Sequence, residues 1–588
     1  MLNVNQTKVS MNRSLFTSYR NIFSNKVNLS RVRLLFRILA IALGGLHTYA
    51  AIKSQSMNAD GVAYLDIGDA YFRADWTNAV NAVWSPLYSW ILGFVNFVFN
   101  PSMEWEFPTV HVVNFIIYLG ALASFEFMWG NVRKDDANDK SYRLPDWLWW
   151  TLGYLLFIWT SLNLIQIWSV TPDMLMASFV LLAAGIISKI RSGEENNRLF
   201  LSLGLVLGLG YLSKTFMFSI ALVSLGLAWF VQKRSRISFI KTLLAVSIFL
   251  LVSMPFILLI SESKGKFTIG EAGTVTYLRY VNGMPFPHWQ GNPLEGIVPT
   301  HPSRIIHQSP DIYEFGGQVG GTYPISTDPS YWYEGIEPRL DFRSLLARMF
   351  ASSLVYLGLF FQKQGGFVAC VMALYVMGQR QQLRIDEFLR RWALSIPAII
   401  AFMLYGMVLV QDRYVGVFVL LFWVDILSNI RLAVSANNKL WLNVLGVIAS
   451  FGLLINILMF NLDGFNRLNP PLEAISSEQT APSAKPLAVA QTLKGLGVKP
   501  GDKVGVIGYA YDSFWARLAR VKIVAEMLEE DAMGLWYGDD VLQQEVLQSF
   551  ASVDVKAVVA EYVPSYYVQL SDWHRVGASN YYVYRFVE

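Results

Sequence analysis

The sequence predicts a polytopic α-helical membrane protein carrying a small α/β domain at its C-terminal end. Three observations predict this. Of 588 residues, 54% are hydrophobic and 15% charged, and the mean hydropathy is +0.37; soluble domains are about 25% charged. The charges are clumped, leaving apolar runs of about 17–23 residues, the length that crosses a hydrocarbon core of roughly 30 Å. After residue 482 the pattern changes to short helix-like and strand-like pieces in alternation.

The chain opens with a polar, basic stretch, 1–33, expected on the cytoplasmic side; no small-residue cleavage site follows the first apolar run. Spans are expected near 34–52, 108–129, 147–165, 174–190, 199–212, 215–232, 238–260, 364–379, 392–410, 414–430 and 440–461. Two further apolar stretches, 84–100 and 344–361, either cross or lie at the interface. If neither crosses, nearly all loop Lys and Arg residues fall on one side, as the positive-inside rule requires. Eleven transmembrane helices are therefore expected, with 13 as the alternative.

That topology places four segments outside: residues 53–107, the turn Thr171-Pro172-Asp173, the long loop 261–343, and the chain beyond a linker at 462–481. Residues 34–461 form the transmembrane domain, and 482–588 the extracytoplasmic α/β domain. Net charge is only +4, with the basic residues in short loops, so nucleic acid is no expected partner. Cys370 is the single cysteine, which excludes disulfides and cysteine-based metal sites.

Loop 261–343 is rich in Gly, Pro and aromatics, as in "YVNGMPFPHWQGNP". Such a loop suits a lid or sugar-stacking wall, or equally a packed cap. In the tail, "LAVAQTLKGLG" reads as a helix, "KVGVIG" and "VKAVVAE" as buried strands, and "YYVYRFVE" as a terminal strand. "GVIGYAYD" lacks the G-x-G-x-x-G of a dinucleotide site.

Asp60, Asp66 and Asp69 fall in "NADGVAYLDIGDAYF", just after the first apolar run. Together with Trp84-Ser85-Pro86-Leu87-Tyr88, the outer Pro172-Asp173, "GLGYLSK" and Arg413-Tyr414, this loop resembles the C-type integral-membrane glycosyltransferases. Within them it is similar to bacterial relatives of protein O-mannosyltransferases and of the lipid A aminoarabinose transferase. The resemblance covers residues 34–430 in layout. It implies a polyprenyl-phosphate sugar donor, an active site outside the cytoplasmic membrane and transfer with inversion at the anomeric carbon. Many members carry Asp-Glu where this chain has Asp60-Gly61.

The family's first-loop Asp falls on Asp60. An acceptor hydroxyl must lose its proton as the new bond forms, and a carboxylate within about 3 Å can accept it. Asp60 is thus the candidate base, unless it only caps a helix starting near Gly61. Asp66 and Asp69, three apart, share a helix face; they face a cation or acceptor, lie in solvent, or pair locally, as Asp69 with Arg73. Asp173 is a candidate for acceptor orientation or metal contact, or caps the next helix. A phosphate leaving group calls for fixed cations, and Lys214 and Arg413 are the candidates. Otherwise Lys214 snorkels to the headgroups and Arg413 pairs with Asp412. His288, His301 and His307 are weak candidates for a divalent metal, with no motif spacing.

The expected function is sugar transfer to a glycan, lipid or protein acceptor at the inner membrane's outer face. A transporter or flippase for a lipid-linked sugar is the alternative, although no repeat of the transporter kind is visible. A membrane-anchored assembly or sensor protein, with the tail as its binding module, is the third.

Overall fold

The computed structural model describes residues 28–133, 143–194, 196–232, 236–317, 319–378, 392–433, 435–468, 485–564 and 572–586. Residues 1–27, most of the expected basic loops (134–142, 233–235, 379–391) and much of the linker (469–484) lie outside them.

Apolar periodicity and chain punctuation divide the bundle into helices. They are α1 (Leu29–Lys53), α2 (Ala59–Phe72), α3 (Pro86–Phe99), α4 (Glu106–Val132), α5 (Asp146–Ile158), α6 (Asp173–Arg191), α7 (Asn197–Ser213) and α8 (Met217–Phe230). After α9 (Arg236–Ser263), the short α10 (Ala272–Tyr280) lies in the long loop. The bundle closes with α11 (Phe342–Leu357), α12 (Gly365–Val376), α13 (Ser395–Val408), α14 (Asp412–Ser428) and α15 (Ala436–Leu468). Each of the eleven expected spans coincides with a helix. Among the described residues seven helices are long and apolar enough to cross a membrane, and five apolar ones are shorter.

Small residues set the close packing. Gly204 and Gly208 of α7 face α9, where an added Cβ would lie 2.3 Å from the Ala245 carbonyl and 2.7 Å from Val252. That is the small-xxx-small arrangement that lets membrane helices approach. Gly68 of α2 and Gly93 of α3 meet backbone to backbone in the same way.

The two ambiguous stretches are both helical, as α3 and α11. α2 and α3 pack side by side and run parallel, Tyr64 against Tyr88 (ring centroids 5.1 Å), Gly68 against Gly93 and Phe72 against Phe97 (5.3 Å), and Glu106, just beyond α3, meets the tail. At the start of α11, Arg348 Nε donates to the Val408 carbonyl (2.7 Å). At its far end Lys363 pairs with Asp412. Between these anchors the Tyr356 hydroxyl donates to the Phe402 carbonyl (2.7 Å), so α11 lies alongside α13, and with its last turn it is one of the seven long apolar helices.

The soluble part is one seven-stranded sheet. Its strands are β1 (Arg304–His307), β2 (Ile312–Glu314), β3 (Lys503–Ile507), β4 (Lys522–Met527), β5 (Ala557–Glu561), β6 (Trp573–Arg575) and β7 (Tyr581–Arg585), in the order β1-β2-β4-β3-β5-β7-β6. β3 pairs in parallel with β4 and β5, and the outer pairings are antiparallel. Two strands thus come from the long loop: β2 pairs with β4 through Ile312–Met527, Tyr313–Glu526 and Glu314–Ala525. Apolar residues cover both faces, with Trp536 and Phe550 in one core and Trp515 and Leu493 in the other.

Candidate active site

α2 begins one residue before Asp60. Its N-cap is Asn58, whose Oδ1 accepts from the Val170 N–H (2.9 Å) and so ties the helix start to the turn before α6. Asp60 is therefore no cap. It sits in the first turn, where the helix dipole favours an anion, and its Oδ2 accepts from Arg413 Nη2 at 2.8 Å. Oδ1 has no partner among the described residues.

Asp173 opens α6 behind Pro172 and is 1% exposed. It receives Lys214 Nζ at 2.5 Å and has Arg413 Nε at 3.9 Å. Lys214 sits in extended backbone just after α7, its ammonium 3.8 Å from the Tyr414 ring centroid. Burial pushes the Lys214 pKa down; the Asp173 carboxylate opposes that and the Arg413 guanidinium adds to it. Lys214 therefore points inward instead of snorkelling. Arg413 ignores Asp412, which is held by Lys363. Four segments far apart in sequence thus bring Asp60, Asp173, Lys214 and Arg413 into one network.

The network lines a cavity of about 230 Å³. Tyr64 and Trp84 form part of its wall, and Tyr280, Phe286 and Tyr333 bring in the long loop. Tyr511 enters from the tail; burial raises the Tyr511 pKa and the Asp60 carboxylate adds to the rise. Arg279 lines the same cavity and lies over the rings of Tyr280 and Phe286 (5.4 and 4.9 Å) with no carboxylate partner among the described residues.

In layout, the chain is similar to solved membrane glycosyltransferases. ArnT from Cupriavidus metallidurans, in the apo state, matches 94% of this chain and 97% of its own at 12% identity and a TM-score of 0.49. The same protein bound to undecaprenyl phosphate gives 93% and 97% at 13% identity and 0.48. The Archaeoglobus fulgidus oligosaccharyltransferase, tethered to an acceptor peptide, covers 89% of this chain and 69% of its own at 10% identity and 0.46. No family model and no curated protein matches the chain.

Asp66 and Asp69 stand apart from this cavity. Asp66 accepts from Arg517 Nη1 (2.7 Å) and from the Thr322 N–H and hydroxyl (2.7 and 2.9 Å). Asp69 accepts from Arg517 and Arg520 (2.7 and 2.9 Å), so its expected pairing with Arg73 gives way to the tail. Glu106 completes the cluster, receiving Arg517 Nε at 2.8 Å and Arg520 Nη2 at 3.1 Å. These acids hold the tail to the bundle.

The histidines have separate partners. His288 bridges Ser303 (2.9 Å) and Glu526 (2.8 Å), His301 meets Glu334 (2.9 Å), and His307 meets the Pro310 carbonyl (2.7 Å). Among the described residues no three His, Cys, Asp or Glu side chains are grouped to hold a metal ion.

Arg279, Tyr511, Arg517 and Glu526 were missed by sequence reasoning. Glu526 carried a signal, as a carboxylate inside the apolar strand "KIVAEM": such a group is buried only with partners. It is 0% exposed and accepts from His288, from the Tyr323 hydroxyl (2.7 Å) and from the Ala510 N–H (2.8 Å), next to Tyr511.

Proposed function

We propose that the protein transfers a sugar from a polyprenyl-phosphate donor to a hydroxyl-bearing glycan, lipid or protein acceptor at the outer face of the cytoplasmic membrane. The observation that carries this is the convergence of Asp60, Asp173, Lys214 and Arg413 on one cavity at the end of an apolar bundle. In the proposed step the acceptor oxygen attacks the anomeric carbon from the face opposite the phosphate. The carbon–oxygen bond to phosphate breaks, polyprenyl phosphate leaves, and the acceptor proton goes to Asp60. Arg413 holds one oxygen of Asp60 and leaves the other for that proton.

Charge develops on the leaving phosphate and needs fixed donors. Lys214 and Arg413 are already neutralised by carboxylates, whereas Arg279 is not. Phosphate bound at Arg279 neutralises it, with Lys214 lining the same cavity. The cavity is smaller than the roughly 300–1,000 Å³ of most ligand pockets, so the isoprenoid chain lies outside it. A separate apolar groove of about 640 Å³, walled by Tyr356, Phe360, Met372 and Trp423, has the chemistry for such a chain.

The test uses the purified full-length chain and a panel of radiolabelled polyprenyl-phosphate sugars, following release of polyprenyl phosphate. Wild type is expected to release it, and Asp60→Asn to be slower by ~10²–10⁴, the usual worth of a positioned base. Full activity in Asp60→Asn removes Asp60 as the base. Movement of intact donor across a bilayer with no release points to the transporter instead.

A further inference from the structure

A second cavity, larger than the one that holds Asp60, has a volume of about 720 Å³ and lies between the far ends of α2 and α3 and the tail, bounded by Pro500-Gly501 and Arg520-Val521-Lys522. From Asp60 to Asp69 the helix axis advances about 13 Å at 1.5 Å per residue. Asp66, buried between Arg517 and Thr322, lines the larger cavity, and the two cavities share no lining residue.

Its hydrogen-bonding chemistry is one-sided. Its acids are already engaged: Asp66 and Asp69 by Arg517 and Arg520, and Asp75 by the Asn78 backbone and side chain. Its donors are not. Arg73 makes no hydrogen bond or ion pair among the described residues. Lys522 spends one bond, on the Gly316 carbonyl at 3.2 Å, of the three an ammonium offers. Asn96 is 8% exposed, and its Nδ2 has no partner among the described residues. A buried amide left unpaired is costly, so the wall is built for a ligand that accepts hydrogen bonds and carries negative charge.

The same pair of helices and the loops that flank it show where that ligand comes from. Trp76, Phe97, Phe99 and Trp105 are 62–71% exposed, and exposed aromatics of this kind sit at the membrane–water interface. Phe72 and Phe97 also line the cavity itself. We propose that this cavity is a second, non-reacting site that binds the phosphate headgroup of an anionic lipid through Arg73, Lys522 and Asn96. Its acyl chains lie along these exposed aromatics.

The test is native mass spectrometry of the detergent-solubilised full-length chain, titrated with phosphatidylglycerol, phosphatidylcholine or inorganic phosphate. One phosphatidylglycerol is expected to be retained at least ~10-fold more tightly than phosphatidylcholine, the worth of a charge-assisted contact. The Arg73→Ala/Lys522→Ala variant, and separately Asn96→Leu, should lose that preference with unchanged melting temperature. Arg73→Gln alone alters only an exposed, unpartnered side chain and serves as the variant that keeps the fold. Equal retention of the two lipids, or variants that bind like wild type, overturns the proposal. Binding of inorganic phosphate without lipid retention overturns the lipid as its source. No sugar donor is present, so the outcome is independent of the transfer reaction.

Discussion

Arg517 is 3% exposed and donates to Asp66, Asp69 and Glu106 at 2.7–2.8 Å. Truncating it to Ala leaves Asp66 with Thr322 alone and Asp69 and Glu106 with the half-exposed Arg520; breaking a buried ion pair costs about 3–5 kcal/mol. Arg517→Ala is expected to unfold at markedly lower temperature, and its tail to be released by protease first. Arg517→Lys should rescue little, because an ammonium cannot reproduce the guanidinium fork. The same cluster sets an acid limit. Burial raises the Asp69 carboxyl, but Arg517 and Arg520 outweigh that and hold it below its ordinary value. Free of the tail it titrates near ~3.9. Its contribution is therefore complete above that pH and is lost as pH falls through the lower, docked value. Protease release of the tail should rise below about pH 4, and Asp69→Asn should flatten that rise; a pH-independent release would argue against it. The residues around Asp60 were legible because a charge beside an apolar run is conspicuous. The partners of Asp66 and Asp69 were not, since Arg517 lies more than 440 residues away and nothing local marks it.

The helices were legible as elements because each carries its own apolar run, and all eleven expected spans have one. How the helices pack was decided by contacts between elements. Gly68 and Gly93 show this: a Cβ on Gly93 would lie 2.6 Å from the Gly68 carbonyl oxygen, with backbone on both sides and no flexible side chain to yield. Gly93→Val is expected to force α2 and α3 apart at about 1–3 kcal/mol, the usual cost of overpacking. A melting shift in the purified chain measures it, and wild-type stability would mean that the two helices separate freely. Glu526 acts between elements too, joining β4 to the long loop through His288 and Tyr323 and to the β3 loop through Ala510. Glu526→Ala orphans three donors at about 1–3 kcal/mol each, and its loss should reach transfer through the displaced Tyr511. An unshifted melt with normal activity would count against that coupling.

The tail was expected as a domain of its own, at 482–588, and its sheet does not end there. β1 and β2, three or four residues each in a loop full of Gly and Pro, carried no periodic signal, yet they extend the sheet beyond β4. The order of the sheet also gives the tail a direction. The chain leaves β3 for β4 on one side and returns to β5 on the other. Ligand crevices of open α/β sheets form at such a switch point, beyond the carboxyl ends of the strands. Here that loop carries Tyr511 into the cavity of Asp60, while no G-x-G-x-x-G is present to hold a dinucleotide. The tail and the long loop thus form one lid over the bundle's charged end. Removing residues 485–588 leaves Asp60, Asp173, Lys214 and Arg413 in place but deprives β2 of β4 and the cavity of Tyr511. Backbone amides of 304–314 are expected to lose their hydrogen-exchange protection in that truncated chain, and transfer to be lost with them. Protection retained in 304–314 would show that the loop folds without the tail, and the lid would then be two independent pieces.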